Sequence, residues 1–310
     1  MAEKPPSTPN TATSQPSSAT EAYYSNNNNG GTPLLDQSMT SDAALKRIQR
    51  SGSIAITPEL FEKIYLTPQN AVKGDLRKTF GNPTPLALLG LVMALTPFSC
   101  DIMGWRGAGG DGAAATGAYY FMGGLLMVIG GVLEWVLGNT FPFLVFCAYG
   151  GFWLSFASTL TPAIGAYGHY STSYSDLDPS AGLSSSPEFA ASFGFFLISM
   201  AFLSLMFAIC CLRINICLAV LEWALLLVFS LLTATFWQTA NGAAAVAGKC
   251  LIAAGAFGFV ACAAGWWLLF ALTFASVDFP LQLPVGDLSQ IIKGAAQKAE
   301  LKTKSAELQV

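Results

Sequence analysis

Residues 82–103 read NPTPLALLGLVMALTPFSCDIM, with no charged side chain between Thr84 and Cys100. A bilayer core of about 30 Å is crossed by roughly 20 helical residues, so this stretch reads as a membrane-spanning helix. Working outward, further apolar blocks of similar length follow. The six together lie at about 84–103, 114–137, 142–165, 189–211, 215–238 and 247–274. A helix closes its backbone hydrogen bonds within each span, as hydrocarbon requires. The alternating segments of about ten residues that a β-barrel needs are absent from the sequence. The expected fold class is an all-α membrane protein, a six-transmembrane-helix bundle.

Composition agrees. Hydrophobic residues make up 53% of the 310 and charged residues 11%, against about 25% charged in ordinary soluble domains. Much of the surface therefore faces lipid, which excludes a typical cytosolic enzyme. The net charge of −3 leaves no basic field for nucleic acid. The cysteines, seven in number, lie in or beside apolar runs without CxxC spacing. They suggest neither a disulfide framework nor a metal site and read as small buried apolar residues. There is no HExxH, GxSxG or glycine-rich nucleotide fingerprint, and His169 is the single histidine. Neither enzyme activity nor a cofactor is expected.

Outside the spans the chemistry changes. Residues 1–50 are rich in Ser, Thr, Pro and Asn and read as a disordered tail, too poor in apolar surface to offset its ordering entropy. Residues 51–80 form a juxtamembrane segment, where Thr57 is placed to cap a helix begun by Pro58. Residues 81–275 form the six-helix transmembrane domain. Residues 276–310 form a C-terminal tail in which Asp287 is placed to cap an amphipathic helix with Leu288, Ile291, Ile292, Ala295 and Ala299 on one face. Lys73, Arg77, Lys78, Arg213 and Lys293 lie on one side of the spans, and Arg106 and Lys249 on the other. The positive-inside rule then puts both termini in the cytoplasm and the acidic 169–188 loop outside. No signal-peptide pattern opens the chain, which fits a multi-pass plasma-membrane protein.

Two features inside the spans invite a functional reading. Small residues recur, with Gly117, Gly124, Gly131 and Gly138 at seven-residue steps and Gly255, Gly258, Ala261 and Gly265 in the sixth block. Such residues let helices approach closely in lipid. Intramembrane carboxylates are costly and mark functional sites by default. Glu134 shares a helical face with Gly123, Met127, Gly130 and Gly131, and Glu222 with Leu225, Leu226 and Phe229. Either carboxyl is a candidate to exchange a proton. In the structural alternative, Glu134 binds Arg213 or a neighbouring helix end and Glu222 snorkels to the interface.

Four motifs resemble the acetate uptake transporter family, which includes bacterial acetate–succinate permeases and fungal acetate and ammonia-export-linked proteins. Asn82-Pro83-Thr84-Pro85-Leu86-Ala87-Leu88 is similar to its N-P-A-P-L-G-L signature. Gly130-Gly131-Val132-Leu133-Glu134 with Gly138-Asn139-Thr140-Phe141 is the second likeness. The third is Tyr149-Gly150-Gly151-Phe152-Trp153, like Y-G-x-F-W, and the fourth Pro284-Val285-Gly286-Asp287. Order and spacing agree over about residues 80–290. In physical terms Asn82 can cap the first helix, Pro83 suits its first position, and Pro85 falls in its first turn. A helix N-terminus favours a carboxylate.

The resemblance implies a constriction formed by Leu91, Tyr149 and Leu225, with substrate-handling positions at Asn82, Pro83, Thr84, Pro85, Glu134 and Trp153. It also implies a homo-hexamer with one path per subunit. Leu91 stands where the family commonly has Phe and Met127 where it commonly has Gln, which marks a divergent fungal member. Asp101, Arg106 and Asp111 make the outer end of the first helix charged. The expected function is transport of small monocarboxylates, acetate foremost, proton-linked or channel-like. The alternatives are a membrane sensor or scaffold and ammonium or ammonia export. The expected partners are a small carboxylate, protons and the lipid bilayer.

Overall fold

A computed structural model of the chain describes residues 80–166, 168–170, 186–288 and 298. The expected tail at 1–50, residues 51–79, and Ile291, Ile292, Ala295 and Ala299 of the expected amphipathic helix lie outside the described residues.

Among the described residues six helices are long and apolar enough to cross a membrane: α1 (Thr84–Ile102), α2 (Ala113–Val136), α3 (Thr140–Leu160), α4 (Pro187–Cys211), α5 (Ile216–Ala240) and α6 (Ala244–Ser276). Each falls on one of the six apolar blocks. Helix α1 packs on α2, α2 on α3, α4 on α5 and α5 on α6, and α6 returns to α1; α3 and α4 meet through aromatic side chains, Tyr149 on Phe207 and Phe152 on Phe196. The bundle has a terminal end, carrying Thr84, the α2–α3 and α4–α5 links and Ser276, and an opposite loop end.

The third span stops at Leu160 rather than running to residue 165. Pro162 opens a short 3-10 turn there, and Gly165 at φ 72° ends it. The α2–α3 turn is Leu137 to Asn139 rather than Asn139 to Phe141, because Gly138 takes φ 79° and Thr140 already begins α3. Helix α2 is not uniform: Tyr119–Leu126 is wound as π-helix before Met127–Val136 continues as α-helix.

The glycines set the helix separations, and α1 lies between the two sets. A Cβ on Gly123 would sit 2.8 Å from Ala94 Cβ, and one on Gly130 2.8 Å from Ala87 Cβ, joining α2 to α1. One on Gly265 would sit 2.8 Å from Val92 Cγ1, joining α6 to α1. Gly131 instead faces Cys147 and Gly124 faces Leu154, both on α3, while Gly117 meets open space. The seven-residue series therefore is not one packing seam; α2 presents two adjacent glycine pairs to two neighbours.

The chain after α6 is pinned back onto the bundle. Trp267 Nε1 donates to the Pro284 carbonyl at 2.8 Å, and Ile216 N–H donates to the Gly286 carbonyl at 2.8 Å. Asn215 and Asp287 form an antiparallel bridge. Asp287 is therefore in a bridge to the α4–α5 link, and most of the helix it was expected to cap lies outside the described residues. Gly286 holds φ 69°, and a Cβ there would meet Ile216 Cδ1 at 2.6 Å. A left-handed conformation costs a non-glycine residue roughly 1–2 kcal/mol, so Gly286→Val is expected to destabilise the protein by at least about that amount. Thermal unfolding of purified protein checks this; an unchanged melting temperature would show the clasp to be dispensable.

Candidate functional site

The described bundle has an apolar vestibule at its loop end. This cavity of about 250 Å³ is lined by Phe98, Ile102, Phe152, Phe156, Phe193, Leu197, Leu232, Phe236 and Leu251, with Asp111, Thr235 and Thr239 as polar members. Deeper in, a second cavity of only about 20 Å³ is lined by Leu91, Leu95, Tyr149, Trp153, Leu225, Val228 and Phe229. Phe98, Phe152 and Leu232 line both, so the two adjoin. The space narrows from a volume fit for a small organic molecule to about that of one water.

Leu91, Tyr149 and Leu225, from α1, α3 and α5, are thus brought together around the narrow cavity, all buried. Trp153 joins them. It stacks on Tyr119 with centroids 5.0 Å apart, and Phe98 meets it edge-on at 5.9 Å. Tyr149 stacks parallel to Phe229 at 6.2 Å and meets Phe207 edge-on at 5.8 Å. These contacts fix the ring planes, because offset-stacked and T-shaped pairs are the favoured aromatic geometries.

The Tyr149 hydroxyl points into a small polar cluster. It donates to Glu222 Oε2 at 2.6 Å and lies 3.0 Å from Ser204 Oγ. Glu222 is 1% exposed and Tyr149 2%. The snorkelling expected of Glu222 is overturned: its carboxyl is hydrogen-bonded inside the bundle. Glu222 precedes Leu225 by three residues of α5 toward the terminal end, about 4.5 Å along the axis at 1.5 Å per residue.

A second polar cluster closes the terminal end. Glu134 is fully buried. Its carboxyl accepts from Thr84 Oγ1 and from the Asn139 carboxamide. Asn139 N–H also donates to the Glu134 carbonyl at 2.9 Å. Asn139 precedes α3 without making a side-chain cap bond to it. At the start of α1, the Asn82 side chain accepts from Thr84 N–H at 2.9 Å, and α1 begins at Thr84 with Pro83 already in helical conformation. Pro85 lies in the first turn. Glu134 thereby meets a neighbouring helix end, since Thr84 starts α1. Thus Asn82, Thr84 and Glu134 form one cluster at the terminal end, while Leu91, Tyr149, Trp153 and Leu225 form another at the neck.

The charged mouth is arranged around the α1–α2 loop. Asp101 Oδ1 accepts from Gly112 N–H at 2.8 Å. Asp111 lines the vestibule, while Arg106 is exposed in the turn Trp105–Gly107. Sequence reasoning missed the vestibule residues Phe193, Leu197, Thr235, Phe236 and Thr239. They come from α4 and α5, whose other faces are equally apolar.

The chain matches the model of the GPR1/FUN34/yaaH family over residues 65–290. It is 47% identical over 238 residues to Protein alcS of Aspergillus fumigatus, covering 77% of this chain and 86% of that one. It is 30% identical over 215 residues to Acetate transporter protein patA of Aspergillus clavatus, covering 68% and 80% respectively. Ammonia transport outward protein 2 of Saccharomyces cerevisiae is 29% identical over 215 residues, covering 64% and 69%. Among solved structures, the bacterial acetate channel SatP superposes with a TM-score of 0.51 at 24% identity, covering 67% of this chain and 99% of that one. That likeness shows the fold.

Proposed function

The chain belongs to the GPR1/FUN34/yaaH family, and we propose that it passes small monocarboxylates, acetate foremost, through the centre of each subunit by a proton-linked or channel-like route. The observation that carries this reading is the adjoining pair of cavities. An apolar vestibule of about 250 Å³ leads to a neck of about 20 Å³ lined by Leu91, Tyr149 and Leu225. A dry apolar neck bars hydrated ions. It admits a small neutral acid, or a carboxyl stripped of water that exchanges its hydration for the Tyr149 hydroxyl. The Asn82–Pro85 segment, at the start of α1, is the receiving end of the path; a helix N-terminus there suits an anion. Glu134 holds that end in shape, and Trp153 walls the neck.

The asymmetry of Lys and Arg supports cytoplasmic termini, and with them an extracellular vestibule at the plasma membrane. Family kinship supports a homo-oligomer, a hexamer by resemblance. Movement of substrate needs no covalent chemistry.

A second reading is ammonium or ammonia export. Asp111 in the vestibule favours it, since a carboxylate there attracts a cation. Labelled acetate uptake, in cells lacking other acetate carriers and between about pH 5 and pH 7, separates the two. Saturable uptake that rises in acid, is competed by propionate and falls several-fold in Tyr149→Ala is expected. Background uptake from protein shown to reach the plasma membrane would reject the carboxylate reading and leave ammonium flux to be measured.

A further inference from the structure

Glu222 lies within the membrane-spanning bundle at 1% exposure, and its Oε2 accepts from the Tyr149 phenol at 2.6 Å. Tyr149 lines the neck cavity, and so does Leu225, the residue one helical turn from Glu222. Ser204 Oγ completes the cluster, 3.0 Å from the same phenol oxygen. A substrate carboxyl that passes Leu91 and Leu225 therefore arrives at a hydroxyl already held by a carboxyl.

We propose that Glu222 is a substrate-binding residue on the terminal side of the neck, where its carboxyl and the incoming carboxyl share a single proton in a buried hydrogen bond. This deepens the carboxylate reading and rests on it. Two carboxylates at hydrogen-bond distance in a low-dielectric site cannot both ionise. Leaving either one charged and unpaired would carry the full desolvation penalty. One proton between them removes the repulsion and supplies a charge-assisted bond. The Tyr149 and Ser204 hydroxyls remain as partners for the outer oxygens. A substrate anion therefore binds only when one proton is present on the pair, so a single proton is tied to each carboxylate at this point of the path.

The groups that bear on this site from the neighbouring helices are few. Tyr149 comes from α3, and Cys211, buried, ends α4. On α6, Cys262 is buried, and Lys249 lies at the loop end, away from the start of α5. Arg213 is in the α4–α5 link. Glu134, the other buried carboxyl, is held by Thr84 and Asn139 at the terminal end.

Calorimetric titration of acetate into the purified full-length protein, from about pH 6 to about pH 9.5, tests this. The wild-type Kd is expected to rise on the alkaline side by about tenfold per pH unit, the slope for one linked proton. Glu222→Gln, which cannot ionise, is expected to bind acetate with a Kd that stays flat over that range. Glu222→Asp, which keeps an ionisable carboxyl but withdraws it by one methylene, is expected to keep the slope with a Kd several-fold higher at about pH 6, and it decides the matter should Glu222→Gln not fold. A flat wild-type profile, a sloped Glu222→Gln profile, or a Glu222→Asp profile that superposes on the wild type overturns the assignment while leaving carboxylate binding intact. Failure of the wild-type protein to bind acetate at any pH overturns the carboxylate reading itself, and this inference falls with it.

Discussion

Replacing Glu134 with alanine is expected to destabilise the folded protein by about 2–4 kcal/mol. Two scales bound the figure. In soluble proteins a hydrogen bond to a charged group contributes about 1.5–3 kcal/mol. Side-chain hydrogen bonds within membranes average about 0.6 kcal/mol and reach about 1.7, because the unfolded chain in lipid also finds partners. Glu134 accepts from Thr84 and from Asn139, and truncation takes the acceptor from both, Asn139 being buried and Thr84 half-buried. The loss also reaches three elements together, since Glu134 ends α2, Thr84 begins α1 and Asn139 begins the approach to α3. Thermal or denaturant unfolding of the alanine variant in a lipid-like micelle checks the total. A cycle with Thr84→Val then isolates one bond, with a coupling of about 1 kcal/mol expected. A total under about 0.5 kcal/mol would mean that the terminal-end cluster is solvated rather than structural.

How far the sequence could be read follows from where its signals are local. Span positions were legible because charge is scarce and each block is long; the helix ends lie within three residues of the blocks except at the end of α3. Pro162 stops α3 five residues early, a signal present in the sequence but outweighed by the apolar run around it. The start of α1 was legible for the same local reason: Asn82, Pro83 and Thr84 are adjacent, and the Asn82 side chain meets Thr84 N–H as its position implies.

Partners across the bundle were not legible. Tyr149 and Glu222 are 73 residues apart and Thr84 and Glu134 are 50 apart. Their pairing depends on helix rotation, and α4, α5 and α6 are so evenly apolar that no periodicity marks the buried face. For the same reason the vestibule could not be told from the lipid-facing surface. Phe193 and Phe236 line it, while Phe195 and Phe202 on the same helix α4 are exposed. The grouping of Leu91, Tyr149 and Leu225 came from family likeness, and the structure sets the three around one cavity. The π-wound stretch Tyr119–Leu126 had no local signature beyond its paired glycines.

Opposite changes at Leu225 are expected to move transport in opposite directions, and the contrast is the most direct test of the neck. The cavity at this point is about 20 Å³, so a carboxylic acid passes only when the lining side chains give way. Leu225→Ala removes three carbon atoms from the wall. Uptake of a longer acid such as butyrate is then expected to gain on acetate by about tenfold, which corresponds to about 1.4 kcal/mol off the barrier for the bulkier substrate. Leu225→Trp adds a bicyclic ring to a space already bounded by Leu91, Tyr149 and Phe229. It is expected to cut acetate uptake by at least about tenfold, while overpacking costs the fold about 1–3 kcal/mol. Surface expression and size-exclusion profiles of both variants separate a blocked path from an unfolded bundle. Leu225 has no polar atom in its side chain, so neither change alters charge, and a shift in the butyrate-to-acetate ratio reads width alone. If both variants reach the membrane and carry acetate and butyrate in the wild-type ratio and at the wild-type rate, the substrate does not travel between Leu91, Tyr149 and Leu225. The path would then have to be sought outside the two adjoining cavities.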